Sequence, residues 1–308
     1  MKAETVISCK NIQKKYGHFE LNIDSIDFPK GFATALIGEN GAGKTTLLEM
    51  IAGIKKQHKG DITYFGSYTE KDRENTPYVK ENIGYTGTDK YYFLPHWTLK
   101  QTKELQEVLF DNFDGEKYDR LTDELAITAG NAFEGNKKVS DLSDGNRIKL
   151  MLAGVLARDT KLLLMDEPAS PLDPLMREKL CSIIRDYIAT SEENERSVIF
   201  STHNISDMEN VTDYAISIEN GTVVEQGFVE DLKEKYVFVR GEKKDEEKAK
   251  HILYDMTSSA YGFEGLCLSE NIEKLAGMDI DTEIPNLSQL SVGIMRAYTR
   301  TKSISSIN

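Results

Sequence analysis

Apolar residues in this chain fall into short continuous runs in some stretches and into a three-and-four spacing in others. From Thr5 to Ile26 apolar and polar residues alternate as in β-strands, with Lys14 to His18 read as the turn between two of them. Ala33 to Ile37, bounded by Gly31, is a continuous apolar run, and so are the cores of Lys161 to Asp166 and Ser197 to Thr202. Runs of this kind are strands buried on both faces of a parallel sheet. Pro174 to Ala189 reads as the helix of a right-handed crossover between the last two. The polar, turn-rich text from Gly53 to Tyr85 holds strand-like pieces at Gly60 to Gly66 and Ile83 to Tyr85. From Tyr91 to about Ala157 the period becomes helical: Thr98 to Phe110, Tyr118 to Ala129 and Ile148 to Leu156 form a helical insertion. After about Glu230 come a strand (Tyr236 to Arg240), a helix (Asp245 to Asp255), a strand (Phe263 to Leu268) and an amphipathic helix (Ile284 to Thr299). The expected organisation is α/β, with a main domain over 1–232, a helical subdomain at about 90–160 and a small α/β unit over 233–308.

The stretch between the first apolar run and the helix beginning at Thr46 reads Gly38-Glu-Asn-Gly-Ala-Gly-Lys44-Thr45. It fits the phosphate-loop pattern of Gly, four residues, Gly-Lys and Ser or Thr, in the strand-to-helix context that the pattern requires. Gly38, Asn40, Gly41, Ala42, Gly43 and Thr46 belong to a cradle whose unpaired backbone N–H groups point at phosphate oxygens. Lys44 supplies a positive charge to the β- and γ-phosphates, and the Thr45 hydroxyl holds a bridging Mg²⁺. The cofactors read here are therefore ATP and Mg²⁺.

The run 162–165 ends in Asp166-Glu167-Pro168, at the C-terminal end of a buried strand, where open α/β sheets bind ligands. Asp166 is placed to hold Mg²⁺ directly or through water, and Glu167 to orient or deprotonate the water attacking the γ-phosphate. A solvated acidic turn is the bland alternative. Tyr16 stacks on an adenine face or is an ordinary strand-end tyrosine; local text favours the second. Ser143 and Gly145, just before the apolar helix, are by themselves a helix cap.

Charge adds one exclusion. With 51 Asp and Glu against 38 Lys and Arg, and a formal net charge of −13, the average field repels a polyanion, so no nucleic-acid partner is expected. The three cysteines, Cys9, Cys181 and Cys267, lack paired metal-ligand spacing and read as buried apolar side chains. No run approaches the roughly 18 to 20 apolar residues needed to span a bilayer. The expectation is a cytoplasmic chain that reaches a membrane only through partners.

Taken together, the motifs resemble the nucleotide-binding subunit of ABC transporters over roughly residues 5 to 230, in the family's order. The resemblance implies a P-loop NTPase of ABC type with an antiparallel β subdomain. It places Tyr16 at the adenine-stacking position, Gly38 to Thr46 at the Walker A loop and Leu142 to Arg147 at the signature motif. Lys161 to Asp166 falls at the Walker B strand, with Glu167 as catalytic glutamate. Ser170 to Asp173 resembles the D-loop, so that Asp173 joins the nucleotide contacts, and His203 stands at the switch histidine and contacts the γ-phosphate. Through the same resemblance Ser143 and Gly145 face the ATP of a second ATPase subunit, and membrane-spanning permease subunits are partners. Two departures stand out: Thr88 or Asp89 occupies the place of the family's glutamine, leaving Asp89 as a metal candidate, and the signature reads Leu-Ser-Asp144-Gly-Asn.

The tail beyond about Glu230 resembles the C-terminal extension of ATPase subunits from bacterial peptide-export and antibiotic-resistance transporters, which implies export of antimicrobial or amphipathic cytolytic peptides or drugs. Two other readings stay open: a soluble ABC-type ATPase, against which stand the acidity and the single phosphate loop, and a low-turnover ATP-binding sensor subunit, slightly favoured by Asp144 and the missing glutamine.

Overall fold

The computed structural model describes residues 4–87, 92–127, 137–190 and 195–305, with side chains through Arg300. In chain order its first half comprises β1 (Thr5–Tyr16), β2 (Phe19–Pro29), β3 (Ala33–Ile37), α1 (Lys44–Ile51), β4 (Lys59–Tyr64), β5 (Tyr68–Thr69), α2 (Glu70–Asn75), α3 (Pro77–Glu81), β6 (Ile83–Thr86), α4 (Leu99–Leu109), α5 (Gly115–Glu124) and α6 (Asp144–Leu156). There follow β7 (Leu162–Asp166), α7 (Pro174–Ala189), β8 (Ser197–Thr202), β9 (Tyr214–Glu219), β10 (Thr222–Phe228), α8 (Val229–Lys235), β11 (Tyr236–Glu242), α9 (Glu246–Ala249), β12 (Asp255–Ser258), β13 (Gly262–Leu268), β14 (Ile280–Glu283) and α10 (Leu287–Ser305).

Three sheets result. The central one has six strands in the order β10-β9-β3-β8-β7-β6. All its pairings are parallel except the β9–β10 hairpin. Alternate residues of its apolar strands feed opposite cores, which is why those runs are continuous. On one side Leu36, Leu162, Leu164, Ile199 and Ile218 pack with α1 and with the antiparallel sheet β2-β1-β4-β5. The buried Tyr64 hydroxyl ties that sheet to α1 by donating to the Ile51 carbonyl at 3.0 Å. On the other side Ile37, Leu163, Met165, Val198 and Phe200 meet α6, α7 and the C-terminal helix residues Leu290 and Ile294.

The C-terminal sheet, β12-β13-β11-β14, is antiparallel throughout. It has a small core of its own around Val239, Phe263, Cys267 and Leu275. Helix α10 carries the chain back to the main body, where the Leu287 N–H donates to Glu209 at 2.9 Å. All three cysteines are buried and free. Among the described residues no helix is long and apolar enough to cross a membrane.

Several boundaries differ from the sequence reading. The strand from Thr5 runs through Tyr16, because Gly17 at φ +53° makes the turn tighter than Lys14 to His18. Between Gly53 and Tyr85 two short helices appear, the first started by a reciprocal cap between Thr69 and Asp72. The helix expected over Tyr118 to Ala129 starts earlier, at Gly115 after the Asp114 cap, and ends at Glu124; residues 128 and 129 of that span lie outside the described residues. The helix expected over Asp245 to Asp255 is cut to Glu246–Ala249, and Asp255 opens β12 opposite Leu266. The last helix begins at Leu287, since Asn286 and Gln289 bond each other's N–H groups at 2.8 Å and close its first turn.

Candidate functional site

The phosphate loop leaves the sheet at the C-terminal end of β3, beside the ends of β7 and β8. Gly41 and Gly43 adopt φ of +88° and +110°, a left-handed backbone open to glycine, and the chain then curls into α1. The first N–H groups of that helix have no intrahelical acceptor. Asn40, Gly41, Gly43, Lys44, Thr45 and Thr46 line a cavity of about 530 Å³. Gly38 and Ala42, assigned to the same cradle, do not line it. A Cβ on Gly38 would fall 2.2 Å from the Ile218 carbonyl oxygen, so this residue serves contact with β9.

Lys44 is 5 % exposed. Its ammonium donates to the carbonyls of Gly38 and Glu39 at 2.7 and 3.1 Å and lies 3.7 Å from a Glu167 oxygen. Burial pushes its pKa below the ordinary lysine range, while the carboxylates of Glu167, Asp166 and Glu219 pull the other way. The ammonium therefore rests on backbone oxygens that a triphosphate can replace.

The Thr45 hydroxyl lies 2.9 and 3.0 Å from the two Asp166 oxygens. A hydroxyl and a carboxylate brought together by α1 and β7 are hard-oxygen donors of the type that holds Mg²⁺ beside phosphates, so the residues present fit that ion. Asp166 is 3 % exposed and accepts a second bond from the Ser201 hydroxyl at 2.6 Å. The Ser201 oxygen in turn accepts the Glu167 N–H at 2.9 Å. That bond matters because Glu167 sits at φ +50°, an uncommon conformation for a side-chain-bearing residue that costs about 1–3 kcal/mol. Its carboxylate reaches back to Lys44 and, at 2.8 Å, to Nδ1 of His203.

Tyr16 closes the outer end of the cavity. Its ring is flanked by the Lys14 and Lys55 ammonium groups, 5.3 and 5.4 Å from the centroid, and Phe19 joins the same lining. The roles of Ser201, Phe19 and Lys55 went unread in the sequence. The signal for Ser201 was a hydroxyl pair ending an otherwise apolar strand.

Ser143, Gly145 and Asp173 do not line this cavity. The Ser143 oxygen accepts the Asn146 N–H at 3.3 Å and starts α6; Asp173 accepts the Met176 N–H at 3.1 Å and starts α7. Gly145 packs beside Pro171, whose carbonyl oxygen would stand 3.3 Å from an added Cβ. Asp144, the departure within the signature, pairs with Arg147 at 3.0 Å. Asp89 lies outside the described residues.

Comparison with known proteins identifies the family. Residues 21–170 match the ABC transporter family. The chain is 32% identical over 235 residues to the tungstate uptake system ATP-binding protein TupC of Peptoclostridium acidaminophilum, covering 71% of this chain and 97% of that one. It is 27% identical to the glutamine transport ATP-binding protein GlnQ of Escherichia coli over 72% of this chain and 91% of the relative. A dimeric bacterial ABC transporter cassette of known structure shares the fold with a TM-score of 0.61 at 20% identity, over 72% of this chain and 98% of that one.

The chain belongs to the ATP-binding subunits of ABC transporters. It is accordingly an ATP hydrolase that uses Mg²⁺, of a family whose cassettes work in pairs beside membrane permease subunits.

Proposed function

We propose that this chain binds Mg-ATP in the cavity at the start of α1 and hydrolyses it with Glu167 as the general base, His203 as its partner toward the γ-phosphate, and a second subunit supplying Ser143 and Gly145. The observation that carries this reading is that Lys44, Thr45 and Glu167, from two separate parts of the chain, line one cavity, with Asp166 bonded to the Thr45 hydroxyl behind it. Lys44 neutralises the terminal phosphates, giving up the Gly38 and Glu39 carbonyls to do so. Thr45 and Asp166 hold the metal ion. When bound, Mg²⁺ offsets charge on the phosphate oxygens.

Glu167 is set for a proton task. Its strained backbone is fixed by Ser201, and its carboxylate spans Lys44 and His203, so it can take the proton of a water in line with the γ-phosphate while His203 Nδ1 holds the carboxylate in place. Tyr16, with the Lys14 and Lys55 ammonium groups near its ring, offers the adenine an aromatic face and nearby positive charge. Asp173 takes part through its position at the start of α7 next to the signature, rather than by lining the cavity.

We assign the main domain to 1–232, with its helical subdomain at about 90–160, and a C-terminal unit to 233–308, and place the chain at the inner face of the membrane through permease partners. Export of amphipathic peptides or drugs rests on the C-terminal extension alone. The two relatives described above carry names of an uptake system and of glutamine transport.

Replacing Glu167 with Gln tests the reading. The carboxamide keeps the shape but cannot take a proton, so hydrolysis falls by about 10²-fold or more while Mg-ATP binding persists. Turnover at the wild-type rate in that variant removes Glu167 from the chemistry.

A further inference from the structure

Two residues of the phosphate loop, Gly38 and Ala42, face away from the cavity, and what they face is the hairpin turn between β9 and β10. The turn is Glu219-Asn220-Gly221-Thr222. Asn220 and Gly221 have φ of +48° and +78°, the pair of left-handed residues that a two-residue hairpin of this twist requires. The hairpin touches the loop at three points, the first just before the turn, at the end of β9. The Gly38 backbone is pressed onto the Ile218 carbonyl so closely that a Cβ would stand 2.2 Å from it. The Gly221 N–H donates to the Ala42 carbonyl at 3.0 Å, and the Glu39 N–H donates to the Glu219 carboxylate at 3.4 Å. The turn is itself pinned from behind: Asn22 of β2 donates its N–H to the Gly221 carbonyl at 2.8 Å, and a Cβ at 221 would lie 2.1 Å from the Glu20 carbonyl oxygen.

Glu219 is the unusual member. It is a carboxylate 5 % exposed, at the end of an apolar strand, and the proton chemistry described above does not use it. Burial pushes its pKa above the ordinary glutamate range, and the Glu39 N–H and the Lys44 charge draw it back. It is thus held among partners that all belong to the phosphate loop. The Glu39 N–H shares its planar peptide with the Gly38 carbonyl, so this bond fixes the nearer of the two oxygens on which Lys44 rests.

We propose that the β9–β10 turn is a clasp that holds the phosphate loop in its anion-binding curl, with the Glu219 carboxylate oxygen and the Gly221 N–H as positioning groups for the loop backbone. The proposal rests on the reading of the loop as the ATP site. Neither residue touches nucleotide in it. Loss of the clasp lets the peptides around Glu39 and Ala42 rotate, and the ordering of the loop is then drawn from ATP binding, which weakens affinity without removing a catalytic group.

The test is equilibrium binding of labelled Mg-ATP to the full chain, reading both Kd and the number of sites. Glu219→Ala raises Kd about tenfold with site number unchanged, because an acceptor for a backbone N–H is lost. Glu219→Gln, which keeps an acceptor oxygen, stays within about threefold of wild type. Gly221→Ala, which forces the turn off β2, raises Kd in the same direction as Glu219→Ala. A merely structural role for Glu219 would lower the number of sites and leave Kd alone, and that result overturns the clasp, as does a Gln variant as weak as the Ala variant or an unchanged Kd in Gly221→Ala. Lys44→Ala run alongside separates the two levels: if it binds like wild type, the ATP-site reading fails; if it loses binding while Glu219→Ala and Gly221→Ala do not, only the clasp fails.

Discussion

The phosphate loop and the signature segment both end in a helix N-terminus, and they differ in where their polar groups are satisfied. At α1 the groups point inward: Lys44 rests on two carbonyls, Thr45 on Asp166, and Asp166 on Ser201, around a cavity large enough for a ligand. At α6 and α7 the groups turn back on their own helices. Ser143 accepts the Asn146 N–H, Asp173 accepts the Met176 N–H, and Asp144 pairs with Arg147 in a half-exposed contact of the kind that contributes little. The first region is a complete cradle for phosphates and metal. The second is a stable helix start whose functional groups do not line that cavity. The contrast is what a site divided between two copies predicts, since a two-fold axis brings the helix start of one copy to the cradle of the other.

The largest effect expected on the cradle side comes from Lys44→Ala. Affinity for Mg-ATP falls roughly 10²-fold, because charge-assisted bonds to the terminal phosphates are lost, and isothermal titration reads it directly. Unchanged affinity would break the comparison at its first half.

A smaller effect is expected from Ser201→Ala. The Asp166 carboxylate loses its 2.6 Å donor, and the Glu167 N–H loses the acceptor that steadies its φ of +50°. Turnover falls about tenfold at saturating ATP while Kd changes little, since Glu167, the proposed general base, is misdirected and the cradle is kept. Steady-state hydrolysis against binding separates the two. A variant that loses binding and turnover in proportion would make Ser201 part of the cradle instead.

The part played by Ser201 also shows how far the sequence could be read. The helix Pro174–Ala189 and the strand Ser197–Thr202 were legible to the residue, because Asp173 and a following proline mark the one and an unbroken β-branched and aromatic run marks the other. The cradle was legible for the same reason: its glycines, Lys44 and Thr45 are contiguous. Ser201 acquires its role only from the parallel register that sets Asp166 opposite it, a pairing across 35 residues that no local pattern encodes. The Glu219 contact spans 180 residues and was equally hidden. In the C-terminal unit the charged run around Glu246 looks helical, yet Asp245 turns inward to accept the Asp279 N–H at 3.1 Å and the chain is taken up by the sheet. Tertiary hydrogen bonds overrode local propensity there.

The divided site is tested most directly by sedimentation of the Glu167→Gln protein with and without Mg-ATP, compared with the same protein carrying Ser143→Arg. With −13 on each chain, copies repel without nucleotide, and bound ATP with Mg²⁺ is the adhesive. The account predicts a monomer without nucleotide, a dimer with Mg-ATP in Glu167→Gln, and a monomer that still binds ATP once Ser143→Arg is added. A dimer that persists with Ser143→Arg would contradict it, because the start of α6 would then lie outside the interface.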